Sequence, residues 1–183
     1  MALSEGNVAE GAALREAITL PGVREWPEPV RRVSEFLTAA AAEARVEEFP
    51  VGTPTAREAA RAVGCELAQI VKSLVLVCDG RPVVALVPGD RRADLQKVAA
   101  AAQAATARTA TPDEVSAATG FEPGAVAPFP LPHVTDVLIE RTLLSHDVVW
   151  CGAGSDRHMA GLAPTELARL ARARPVDAVQ NGA

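Results

Sequence analysis

Apolar residues recur along this chain with two periods, one helical and one extended, and their order predicts a mixed α/β domain. Val30, Val33, Phe36, Leu37, Ala40 and Ala44 fall three or four residues apart behind Pro27 and Pro29, which predicts an amphipathic helix over 29–44. Val46 to Phe49 alternates as a short strand, and Pro50, Gly52 and Pro54 supply a turn. Thr55 and Glu58 have the spacing of a capping box, with Thr53 before Pro54 as an alternative cap, and Gly64 suits the end of the helix they open. Gln69 to Cys78 reads Gln-Ile-Val-Lys-Ser-Leu-Val-Leu-Val-Cys, a branched aliphatic run that predicts a strand buried on both faces. Asp79-Gly80 turns it into a second apolar strand over 82–87, a hairpin.

Pro88-Gly89-Asp90 leads into a helix expected from about Ala93 to Ala105, with Leu95, Val98, Ala99 and Ala102 on one face. Thr111, Pro112 and Glu114 repeat the capping signature, and Gly120 ends that helix. Val134 to Glu140 and Asp147 to Cys151 read as strands, and His158 to Leu162 as the last one. Pro164 and Glu166 open a final helix to about Arg172, before Pro175 and a polar tail. Short strands mixed with short helices and a hairpin favour a mixed sheet over a parallel one.

Against that frame one residue is out of place. If alternation holds, Lys72 shares a face with Ile70, Leu74 and Leu76, so its charge points where apolar groups point. An ammonium there must be paired, reach water, lose its proton or bind something anionic. Two readings stay open: a strand-end lysine reaching solvent or an internal carboxylate, and an ammonium lining a small pocket. Residues 119–132 are the second unusual stretch, with Gly120 and Gly124 four apart and Pro128 four beyond. They predict a rigid loop, either an ordinary connection or a wall whose amides face a ligand. Cys151-Gly-Ala-Gly-Ser reads as a flexible turn beside a ligand, too weak a pattern for a phosphate loop. Arg91, Arg92 and Lys97 form either a solvated helix face or a local phosphate contact.

Composition narrows the chemistry. With 183 residues, 49% of them hydrophobic, the chain fills one core, so the expectation is one domain over 28–175 between an extension (1–27, helical near Ala12 to Leu20) and a tail (176–183). No apolar run is long enough to span a bilayer and the start lacks a basic, apolar leader, which predicts a soluble cytoplasmic protein with no membrane partner. Cys65, Cys78 and Cys151 are widely spaced and read as small buried hydrophobes; His133, His146 and His158 are scattered, so no metal and no cofactor is expected. A net charge of -5, with two Trp, four Phe and no Tyr, excludes a broadly basic or base-stacking nucleic-acid surface and leaves only a local contact.

The order of four motifs adds a resemblance. Gln-Ile-Val-Lys-Ser-Leu, then Pro-Gly-Asp-Arg-Arg-Ala-Asp-Leu-Gln-Lys-Val, then Thr-Gly-Phe-Glu-Pro-Gly-Ala-Val-Ala-Pro-Phe, and last Val-Trp-Cys-Gly-Ala-Gly-Ser with Leu-x-Pro-x-Glu-Leu, resemble the YbaK/EbsC family over about residues 30–173. That family includes trans-editing aminoacyl-tRNA deacylases and is similar to the editing insertion of bacterial prolyl-tRNA synthetases. The resemblance implies a compact, barrel-like mixed α/β fold and metal-independent hydrolysis of the ester on a mischarged tRNA bearing a small amino acid, of the Cys- or Ala-tRNA(Pro) type. It implies that Lys72 is the lysine essential for deacylation. Gly120, Phe121, Gly124, Pro128 and Phe129 then belong to the substrate loop, and Cys151, Gly152, Gly154 and Ser155 to the turn bordering the pocket. The implied partners are the aminoacylated 3′-adenosine of a tRNA acceptor end and a prolyl-tRNA synthetase. Two positions depart from the family pattern: Pro130 stands for a common glycine and Glu140 for a common aspartate, which bears on substrate choice and loop shape. No Ser-His-Asp or Cys-His arrangement is readable, and Cys151 as a nucleophile lacks a base partner. A silent binding module for an acceptor stem, metabolite or synthetase, and a hydrolase of a small ester or thioester, are the other classes the sequence allows.

Overall fold

The structure is a computed structural model that describes residues 26–181. The helix expected near Ala12 to Leu20 lies outside the described residues. Helix α1 (Glu28–Ala39) starts with proline in its first turn and buries Val30, Val33 and Leu37. It stops five residues before the expected end. Ala41 turns left-handed (φ 48) and the Ala42 N–H reaches back to Leu37 O at 3.0 Å, closing the helix and freeing Ala44 to open strand β1 (Ala44–Glu48). Helix α2 (Ala56–Val63) carries the capping box of Thr55 and Glu58 and ends at left-handed Gly64. A short 3-10 turn then leads into β2 (Ile70–Cys78), which turns through Asp79 and Gly80, both at positive φ, into β3 (Arg81–Pro88). The remaining elements are α3 (Leu95–Ala101), β4 (Ala107–Thr109), α4 (Pro112–Thr119), β5 (Asp136–Glu140), β6 (Val149–Ser155), β7 (His158–Leu162), α5 (Pro164–Leu170) and β8 (Arg174–Val176).

The mixed α/β class and mixed sheet read from sequence are what the eight strands form. They follow the order β1-β7-β6-β2-β3-β5-β8, with β4 also on β2. β3 pairs antiparallel with β2 and parallel with β5, which pairs parallel with β8. On its other edge β2 meets two strands in turn: parallel β6 at Ile70 and Val71, then antiparallel β4 from Leu76 to Cys78. Both faces of the hairpin are covered, as its composition requires. Val71, Val75, Val84 and Leu86 pack with Val33, Phe121 and Leu167, whereas Leu76, Val83, Ala85 and Val87 pack with Val98, Ala102 and Val176.

Three local expectations are corrected. The helix expected over 93–105 is only α3, because Asp94 caps it, accepting from the Gln96 and Lys97 amides, and Gln103 ends it in the left-handed region. Residues 151–155, expected as a flexible turn, are the second half of β6 and pair with β7 through a bulge between Gly152 and Ser155. Their glycines serve close packing: a Cβ on Gly154 would lie 2.8 Å from the Pro29 carbonyl carbon and oxygen, and one on Gly152 would lie 3.2 Å from Val126 O. Residues 174–176, expected ahead of a polar tail, form β8 against β5.

Candidate active site

The partners of β2 leave a gap in the sheet. Val75 O accepts from the Ala110 N–H, so residue 75 presents its backbone groups to the β4 edge, and by alternation so does Ser73. At Ser73 neither β6 nor β4 is in register. The Ser73 main-chain amide and carbonyl therefore face a slot between two strands instead of a ladder. Two cavities meet there, of about 800 Å³ and about 330 Å³, and both are lined by Lys72, Ser73, Leu74, Gly124 and Val126. The larger continues along Arg92 to Gln96, Thr109, Pro112 and Gln180; the smaller runs under Thr53 to Ala56 to Gly152, Ser155, His158 and Met159.

Lys72 stands at the junction, partly buried. Its Nζ donates to Gly89 O at 3.4 Å and to Arg91 O, in the loop that follows β3. Carbonyls hold an ammonium in place without cancelling its charge. Burial accordingly lowers the amine below the ordinary lysine range; nearby Asp90 offsets part of this and Arg92 adds to it. The loop can come this close because residue 89 is glycine: a Cβ there would sit 2.5 Å from Leu67 O.

Two residues of the smaller cavity carry buried polar atoms without partners. Three buried side-chain polar atoms have no hydrogen-bond partner among the described residues, and two of them, Ser73 Oγ and His158 Nε2, belong to residues lining this cavity. Buried polar atoms without partners are costly, so residues that carry them beside a cavity are candidates for meeting a ligand there. His158 Nδ1 lies 2.7 Å from Ser155 Oγ, across the two-residue turn that sets Ser155 opposite His158, and Ser155 Oγ also accepts from the Arg157 N–H. The Trp26 ring packs edge-on against the imidazole with centroids 5.6 Å apart. Burial pushes the His158 pKa below its ordinary 6.5, against the pull of Glu48 and Asp156 and with the push of Arg157. The sign follows: the unfolded chain takes up this proton first as pH falls, so His158's contribution to stability is complete above 6.5 and is lost as pH falls through the lower native value. An NMR titration of the ring proton is expected to show a midpoint below 6.5; a midpoint at or above it would contradict this environment.

The residues singled out from sequence part company here. Lys72, Gly124, Gly152 and Ser155 line the smaller cavity, Lys72 and Gly124 the larger one as well. Gly120 caps α4 at φ 70 and its carbonyl accepts from Arg32 at 2.7 Å; Phe121 is buried beneath that guanidinium, 4.5 Å from ring centroid to Cζ. Pro128 and Phe129 line a separate depression beside α1, where Phe129 stacks on Phe36 at 5.5 Å, and Pro130 lies there too. Gly154 packs on the start of α1. Cys151 is fully buried in the main core, its thiol directed at Ala160 O (3.7 Å) and pushed up to about 12 by burial, so no thiolate is available near neutral pH. Cys78 is buried as expected, whereas Cys65 is only partly covered. His158, Ser73 and Gln180 were not picked out from sequence. For His158 a signal existed, two polar residues flanking a two-residue turn between apolar runs.

Comparison with known proteins fits this geometry. The sequence model of the aminoacyl-tRNA editing domain matches residues 51–170, which contain Lys72, the gap and both cavity walls up to β7. The chain belongs to the aminoacyl-tRNA editing domain family. Among relatives of this editing domain, the Bacillus subtilis (strain 168) protein YwhH, described as uncharacterized, is 33% identical over 126 residues, 68% of this chain and 80% of YwhH. The proline–tRNA ligase of Nitratidesulfovibrio vulgaris (strain DP4) is 35% identical over 135 residues, 73% of this chain but 23% of the ligase. The editing domain thus spans about a quarter of that ligase. A crystal structure described as a candidate trans-editing enzyme for prolyl tRNA synthetase superposes with a TM-score of 0.80 at 35% identity, covering 86% of this chain and all of the other. Among the described residues of the editing domain no helix is long and apolar enough to cross a membrane.

Proposed function

We propose that this editing domain is an aminoacyl-tRNA deacylase that acts in trans, cleaving the ester between a small amino acid and the terminal ribose of a tRNA. What carries the reading is the junction: a partly desolvated ammonium, restrained by neutral carbonyls, between a small cavity with unpartnered polar atoms and a larger cleft. In this reading the aminoacyl group enters the smaller cavity, the 3′-adenosine lies in the larger, and the ester carbonyl reaches Lys72. Two of the ammonium's protons are engaged by Gly89 O and Arg91 O, which leaves the third for the substrate oxygen. The Ser73 amide on the unpaired strand edge is a second donor to the same oxygen, and Ser73 Oγ and His158 Nε2 hold the amino acid.

Water then adds to the ester carbon, the carbon–oxygen bond to ribose breaks, and the proton ends on the ribose hydroxyl, releasing free amino acid and intact tRNA. An activated ester needs only a few kcal/mol of such help, which two preorganised donors supply. Alanine or cysteine on tRNA(Pro) is the proposed substrate, supported by the likeness to proline–tRNA ligases and to the candidate trans-editing structure. The test is a panel of tRNA(Pro) charged with Ala, Cys, Ser, Thr or Pro, incubated with the protein and with Lys72→Ala. Hydrolysis of a small-residue ester that is lost in Lys72→Ala supports the reading; binding without turnover, or turnover indifferent to Lys72, rejects it.

A further inference from the structure

The family match ends at Leu170, yet the chain that follows finishes the larger cavity. After β8, the Ala178 N–H donates to Glu140 Oε2 at 2.7 Å, Val179 bridges antiparallel to Ala93, the Asp94 N–H donates to Ala178 O at 2.8 Å and the Gln180 N–H to Arg92 O at 2.9 Å. Lys97, on α3, gathers the end of this segment: its ammonium donates to both Asp177 carboxylate oxygens at 3.1 Å, and to Val179 O and Asn181 Oδ1 at 2.9 Å. Glu140, 3% exposed at the end of β5, otherwise accepts only from the Thr142 N–H among the described residues. The loop tied down in this way is the loop whose Gly89 and Arg91 carbonyls hold Lys72. The chain has sixteen arginines and two lysines, and the two lysines are Lys72 and Lys97.

We infer that residues 177–181 form a strap that completes the wall of the larger cavity and fixes the acceptor loop of Lys72, with Lys97 as its anchor and positioning residue and Gln180 as a contact for the nucleoside end of the substrate. An exposed ion pair alone would hold little. Here one ammonium with a side chain 26% exposed meets a carboxylate, a carbonyl and an amide at once, and a buried carboxylate grips the same segment from the sheet side. The loop over 89–94 belongs to no helix or strand, and beyond its own turn bond from the Arg91 N–H to Pro88 O it is the strap's backbone bonds that tie down its second half at Arg92, Ala93 and Asp94. A lysine suits the anchor because a compact ammonium can address acceptors in three directions, where a planar guanidinium cannot.

The kinetic part of this inference rests on the deacylase reading; the structural part does not. The first readout is the NMR titration of the Lys72 amine, followed at its Cε in protein carrying 13C-labelled lysine so that every ammonium keeps its protons, with Asp90 and Arg92 as its charged neighbours. In Lys97→Met, where Lys72 is the sole lysine, the amine is expected to titrate closer to the ordinary lysine value than in the parent, and a chain ending at Val176 should do the same. If either fails to fold, the double variant D177N/N181A, at two exposed positions, removes two of the anchor's partners and is expected to shift the titration in the same direction. The second readout is deacylation. Lys97→Met is expected to lower kcat by about tenfold to a hundredfold through displacement of the reacting amine, whereas Gln180→Ala, at an exposed side chain, raises KM and spares kcat. An unchanged Lys72 titration in folded variants overturns the strap, and an unchanged KM in Gln180→Ala overturns its contact with substrate. A parent protein that deacylates no tRNA rejects the enzyme reading, and the titration then still decides whether the strap positions Lys72.

Discussion

Lys72→Met is expected to slow ester hydrolysis by about a hundredfold or more while leaving the fold intact. The size follows from the position of the amine. It is the charged donor shared by both cavities, and loss of one preorganised donor to a developing oxyanion costs about 2.7 to 4 kcal/mol at the transition state. Stability should move the other way. Burial disfavours the ammonium, so an apolar chain of similar length removes that penalty, and Tm is expected to hold or rise. Lys72→Arg should not rescue activity, because a planar guanidinium cannot sit between Gly89 O and Arg91 O as an ammonium does. Rates on the preferred mischarged tRNA, alongside thermal melts of the same proteins, check both halves. A drop in rate that merely tracks a drop in Tm would contradict the assignment.

Gly89→Ala is the second large effect expected, and it joins fold to site. The new Cβ would meet Leu67 O at 2.5 Å, Leu67 Cδ1 at 3.0 Å and Ala56 Cβ at 3.1 Å, so either the loop or the 3-10 turn ahead of β2 must move. Overpacking against backbone of this kind costs about 3 kcal/mol, which for a domain of this size lowers Tm by about 6 to 12 °C. Because Gly89 O is an acceptor for Lys72, the variant that does fold should also lose deacylation. A calorimetric scan within about 2 °C of the parent, against the 6 to 12 °C expected, would show that the loop yields freely and does not hold the lysine.

How much of this could be read in the sequence depended on where the information was local. The hairpin of β2 and β3 was legible because both strands are buried on both faces and so read as apolar runs, and Asp79-Gly80 supplies the positive φ its turn demands. Capping boxes at Thr55 and Thr111 placed two helix starts correctly for the same reason. What failed was set by contacts distant in sequence. Three residues of β4 or β8 show no period, and become strands only because β2 and β5 offer an edge. Gly152 and Gly154 looked like flexibility and are instead sites of close approach within β6.

The candidate site divided along the same line. Lys72 could be found because a charge interrupts an apolar period, but whether it reached solvent, a carboxylate or a pocket depended on the loop over 89–94, which packs on Leu67 and bonds through Arg92 and Asp94 to Gln180 and Ala178, far along the chain. The glycine-and-proline loop over 119–132 was legible as a rigid loop, though not as a wall rather than an ordinary connection, and it serves two sides: Gly124 and Val126 line the cleft, while Pro128, Phe129 and Pro130 line the depression beside α1. Of the two departures from the family pattern, Pro130 therefore lies on that depression, and Glu140 has turned its carboxylate to the Ala178 amide of the C-terminal segment.

The claim on which the rest depends is that one ester spans both cavities with its carbonyl beside Lys72. A 15N-correlated NMR titration with a non-hydrolysable 3′-alanylamido adenosine tests it most directly. The amides of Ser73 and Gly124 at the junction, the His158 ring in the smaller cavity and the Gln180 amide in the larger should shift together, with one saturation curve. Shifts confined to one cavity, or a curve shared only by residues beside α1 such as Phe129 and Phe121, would contradict it.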